Sequence, residues 1–153
     1  MTANALDLFD SPPLERMNNP TLAFASGALL FLTSSAVVSL QANEAASRLW
    51  WAALVVVAAC HAVLGFSAIG GGEAFQRRQW GAAAVCAMTS TVITIIASAA
   101  AILVAVSFPI AMDRATAVVL IAASVAVASA AVVVVIAQPL RSAFGRCFRV
   151  QGR

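Results

Sequence analysis

His61 is the one histidine of this sequence, and it lies inside a long apolar stretch. An imidazole at membrane depth can carry a proton, bind a substrate or ligate a metal, or it can bond across helices. Met88 and Thr89 should lie at the same depth. They sit about as far into the next apolar stretch as His61 sits from the end of its own, ~12 Å if both are helical. The expected bland role is a bond from His61 to Thr89, Thr91 or a backbone carbonyl between helices. The sharper roles are a substrate or pH-sensing site, and a haem axial ligand shared with Met88.

The other chemistry-bearing residues do not assemble a reaction centre. Cys60 and Cys86 fall in apolar stretches and Cys147 in the last segment, a spacing that makes neither a disulfide framework nor a metal site. All six acids, Asp7, Asp10, Glu15, Glu44, Glu73 and Asp113, lie in polar segments, so no Ser/His/Asp set can form at His61. Gly70-Gly71-Gly72-Glu73 lacks the Gly-Lys-Ser/Thr that would follow in a phosphate loop. The sequence therefore reads as no enzyme, with no cofactor and no metal. Acids at membrane depth are the usual mark of proton-coupled carriers, and here they are confined to loops and tails.

These residues have to be positioned by helices in lipid. The chain is 62% hydrophobic and only 10% charged, with mean hydropathy +0.95. Soluble domains carry roughly 45–50% apolar and 25% charged residues, so a membrane class follows. Four stretches reach the ~20 apolar residues that a crossing requires: about 21–40, 49–69, 80–108 and 115–138. Residues 1–20 form a polar acidic tail, 139–153 a basic one, and 21–138 the membrane domain. The fold class is an all-α bundle of four transmembrane helices.

The stretch from Trp80 to Phe108 has no charge and no internal proline. Its positions Ala84, Ala87, Thr91, Thr94, Ser98, Ala101 and Ala105 step by three and four, so they share one helix face. Small residues let another helix approach closely, and hydroxyls can bond across the contact. This helix is expected to be the packing spine. Pro109 and Pro139 are expected to end the third and fourth helices, and Gly70-Gly71-Gly72 the second.

All nine basic residues are Arg. With the N-terminus inside, Arg16, Arg77, Arg78, Arg141, Arg146, Arg149 and Arg153 lie on the inner side, and only Arg48 and Arg114 on the outer. The positive-inside rule then puts both termini in the cytoplasm. The Arg residues form no stripe, which argues against nucleic acid. In the last segment Leu140, Phe144, Cys147 and Phe148 follow one helix face, while Arg141, Arg146 and Arg149 fall largely off it. That pattern suits a basic amphipathic segment lying on an anionic leaflet. Cys147 there is a candidate for acylation.

In layout the chain resembles several four-pass groups, among them the egress and envelope-trafficking proteins of GC-rich alphaherpesviruses. The resemblance rests on an acidic N-terminal tail, short loops and an Arg/Phe-containing C-terminus. It implies a trafficking role in a viral envelope. The function expected from the residues is non-catalytic: an accessory, assembly or trafficking partner of a larger membrane protein. The rival is a small oligomeric channel or transporter using the hydroxyl face and His61. The expected partners are the lipid bilayer and a larger membrane protein or further copies of the chain.

Overall fold

A computed structural model describes residues 20–150, with side chains placed for 21–137. Five helices follow one another: α1 (Pro20–Ala42), α2 (Arg48–Ala68), α3 (Gly71–Gln76), α4 (Trp80–Ser107) and α5 (Arg114–Val150). Four of them, all but α3, are long and apolar enough to cross a membrane. The described residues form no strand.

The helix ends follow local chemistry. Pro20 opens α1, where its fixed φ suits the first helical turn and its missing N–H costs nothing. At the other end Glu44 N–H bonds Gln41 O and Ala45 N–H bonds Leu40 O, with Glu44 at φ 54°. The end of α3 repeats this arrangement. Arg78 N–H bonds Phe75 O, Gln79 N–H bonds Ala74 O, and Arg78 sits at φ 58°. Both are left-handed helix closures, normally built on glycine; a side chain in that conformation costs roughly 1–2 kcal/mol. Gly70, at φ 86°, closes α2 without that cost. Phe108, before Pro109, is extended at φ −129° and ψ 70°, because the proline ring disfavours the helical region for its predecessor.

One expectation about the ends holds and one is corrected. α2 stops at Ala68 and closes on Gly70. The segment after Gly70 contains the short helix α3, which buries Gly71 and Ala74. Gly71 packs under the Phe66 ring, where any Cβ would fall within 2.3 Å of it. Pro139 does not end the fourth long helix, which runs on to Val150. A proline removes one ladder bond and kinks a helix, but does not always stop it.

The bundle is organised around α1, not α4. Some 39% of α1's apolar window is buried, against 22% for α2 and α4 and 17% for α5. α1 packs along α2, α4 and α5, and α2 does the same on its other side. α4 and α5 hardly touch each other, although only six residues join them. In cross-section α1 and α2 form the short diagonal of a diamond, with α4 and α5 at its far corners. The 108–113 connection therefore crosses the end of α1. It is fastened there by Ser39: Met112 N–H donates to Ser39 Oγ, and Ser39 Oγ donates to Met112 O, both at 3.3 Å.

Two regions share the interior. Toward the Asn43 end, Leu30, Ala36, Val37 and Leu40 of α1 pack with Leu54 and Val57 of α2 and with Ala117 and Ile121 of α5. Toward the Gly70 end the interior becomes polar around His61.

Candidate functional site

The site is built from α1, α2 and α4. His61 is buried on α2. Its Nδ1 lies 2.6 Å from Ser26 Oγ on α1, and Ser26 Oγ donates to the Ala23 carbonyl at 2.8 Å. A hydroxyl has a single proton, so with that proton on Ala23 the serine accepts from Nδ1–H. In that tautomer Nε2 keeps its lone pair; in the other, Ser26 donates to Nδ1 and Nε2 carries the proton. Gly27 lies beside the ring: a Cβ there would sit 3.7 Å from His61 Cε1, an ordinary van der Waals contact.

α4 closes the third side. Ser90 Oγ donates to the Ala62 carbonyl, next to His61, at 2.6 Å. Gly65 permits that approach, since a Cβ on it would come within 2.7 Å of Ser90 Oγ. Ser26, His61, Ala62 and Ser90 therefore share one level of the bundle. One and two turns along α4 come Thr94 and Ser98. Both hydroxyl oxygens are buried and have no hydrogen-bond partner among the described residues. The hydroxyls of α1 differ: Thr33, Ser34 and Ser35 donate to Leu29, Leu30 and Phe31 carbonyls one turn back.

The partner expected for His61 is corrected. Thr89 is exposed, Thr91 is exposed and bonds Ala87 O on its own helix at 2.8 Å, and Met88 is 70% exposed. The depth assignment places the right turn of α4 beside His61, but the residue facing inward there is Ser90. The supposed packing face of α4 divides in two. Thr94, Ala101 and Ala105 are buried and Ser98 is half-buried, whereas Ala84, Ala87 and Thr91 are exposed. In the first half of α4 the inward line passes through Ala83 and Ser90 instead.

Sequence reasoning missed Ser26, Ser90 and the role of Gly65. The available signals were Ala23 and Gly27 bracketing Ser26, and Gly65 one turn after His61. The side chains of Arg141, Arg146, Arg149 and Cys147 lie outside the described residues, as do Arg153 and the acidic tail. Cys60 and Cys86 are half-buried free thiols, and Cys86 Sγ reaches Ile69 O at 3.8 Å.

The arrangement can hold one imidazole between two helices and present one ring nitrogen. No known protein family, curated protein or solved structure matches the chain.

Proposed function

We propose that this is a non-catalytic integral membrane protein that serves as an accessory, assembly or trafficking partner of a larger membrane protein, with both termini cytoplasmic. The observation that carries the reading is the outward turn of the small-residue line on α4. Ala84, Ala87 and Thr91 face away from the bundle, flanked by exposed Val85, Met88 and Val92. A second membrane helix could seat closely there, because lipid supplies little drive for helix association and contact must supply it. The layout resemblance to envelope-trafficking proteins points the same way, and seven of nine Arg on one side supports the topology.

The test is co-purification from the native membrane with Ala87→Leu beside the wild type. A stoichiometric larger protein that Ala87→Leu releases, with bundle melting unchanged, is the expected result. A pure homo-oligomer that passes solute in liposomes would sink it. The unpartnered Thr94 and Ser98 hydroxyls favour the second reading, a small oligomeric channel or transporter using that face and His61. Accessibility of tags at both termini in intact cells tests the topology separately.

A further inference from the structure

The corner between α3 and α4 carries charge and aromatic surface that the fold itself does not use. Phe75 and Trp80 are 57% and 62% exposed, and their rings meet edge-to-face with centroids 5.3 Å apart. The Trp80 indole, with an apolar face and an N–H, favours the headgroup level of a bilayer, and Phe75 adds apolar surface beside it. Between them in sequence stand Arg77 and Arg78. Arg77 lies 3.7 Å from Glu73, with both side chains largely exposed, so the pair is weak and screened. The corner keeps one cation in excess.

Arg78 is the decisive residue. Its backbone occupies the left-handed closure of α3, where glycine would serve without strain. Its side chain is exposed and makes no ion pair among the described residues. The chain therefore bears a backbone cost at a residue whose guanidinium has no ion partner among the described residues. Strained positions of this kind collect at functional sites.

We infer that this corner binds the phosphate headgroup of an anionic phospholipid. Guanidinium groups present planar, forked donors to phosphate oxygens. Phe75 and Trp80 supply the apolar surface for the glycerol and upper acyl carbons. The site is independent of the accessory reading, since it uses none of Ala84, Ala87 and Thr91, on which that reading rests.

The test uses the full chain in nanodiscs of phosphatidylcholine, with and without phosphatidylglycerol. Retained lipid is read by native mass spectrometry and stability by thermal melting. Arg78→Gly and Arg78→Asn both keep a residue that tolerates the left-handed turn. In pure phosphatidylcholine both should melt at or above the wild type. Each Arg removed should weaken phosphatidylglycerol retention about fivefold, so the Arg77→Gln/Arg78→Gly double variant should lose most of the lipid-dependent rise in melting. Equal retention by wild type and double variant would overturn the site, because the other Arg residues are unchanged. An equal rise from inorganic phosphate in phosphatidylcholine discs would also overturn it, since the ligand would then be an ion and not a lipid.

Discussion

Ser26 and His61 lie 35 residues apart in sequence and 2.6 Å apart in space, Oγ to Nδ1. The bond ties the imidazole ring of α2 to α1 through Nδ1 and leaves Nε2 as the ring nitrogen without a contact to Ser26. Removing the serine hydroxyl should unfasten α1 from α2 at this level. Interhelical side-chain bonds in membrane proteins average ~0.6 kcal/mol and reach ~1.7. Ser26→Ala should lower detergent stability within that range. A double-mutant cycle with His61→Leu should show coupling, while Thr89→Ala should change nothing. A large Thr89→Ala effect with no Ser26–His61 coupling would mean that the histidine faces α4.

His61→Gln separates a bridging role from a chemical one. An amide can still bond Ser26, so a bridge survives the change with folding and partner binding intact. If His61 carries protons or a ligand, activity collapses while the protein accumulates normally. A Soret band in purified wild type would assign the ligand as haem.

Gly65→Ala should be a damaging small substitution at the His61 level of the bundle. The new methyl would sit 2.7 Å from Ser90 Oγ, and the Ser90 bond to Ala62 would have to break or α4 move out. Overpacking typically costs ~1–3 kcal/mol. Ser90→Ala alone should cost less, and the Gly65→Ala/Ser90→Ala pair should recover part of the loss. Additive losses in the melting curves would show that the two residues do not share this contact.

Thr94 offers the opposite case. Its hydroxyl is buried with no partner among the described residues, and an unmet buried polar group costs ~1–3 kcal/mol. Thr94→Val keeps the shape and removes the group, so it should raise detergent stability. Thr94→Leu adds volume to a closed contact and should lower it by ~1–3 kcal/mol. Leu at Val92 or Ile95, which are 54% and 62% exposed, should do little. Destabilisation by Thr94→Val would show that the hydroxyl has a partner in the membrane, as the channel reading requires.

Asp113 caps α5. Its carboxylate accepts the Thr116 hydroxyl at 2.5 Å and the Thr116 N–H at 3.1 Å. Those bonds, the hydroxyl first, hold its pKa below the usual carboxylate value. A depressed folded-state pKa gives stability that is present above the unfolded value and lost as pH falls through the folded one. Asp113→Asn keeps a capping acceptor without the carboxylate's titration. The wild type should therefore lose its advantage over Asp113→Asn as pH drops below about 4. Parallel melting curves down to pH 2 would remove Asp113 as the cause.

The four spans were legible because length and apolarity alone define them. Gly70 and Pro109 mark ends correctly for reasons of backbone chemistry. The central helix was not legible. In lipid an apolar side chain is equally suited to the core and to the outside, so α4, with its long uncharged run, looked like the spine. The better signal was the hydroxyl content of α1. Ser26, Thr33, Ser34, Ser35 and Ser39 are all buried, because polar groups prefer protein to hydrocarbon. The small stripe on α4 was read as one face, yet Ala and Thr cost little in lipid, so its first half could turn outward. For His61 the depth followed from helix rise, but the facing residue depended on the rotation of α4, which composition does not record.

The diamond cross-section also sets a timetable. α1 is synthesised before any of its three neighbours. It is the least apolar of the four spans, yet Ser26, Thr33, Ser34 and Ser35 bond carbonyls of their own helix and need no partner to be at ease in lipid. Ser39 is different, since it exchanges bonds with Met112, 73 residues downstream. At ~5–20 residues per second that gap is ~4–15 s of synthesis. The strap over α1 is thus a late fastening, available only seconds after the helix it crosses has been synthesised.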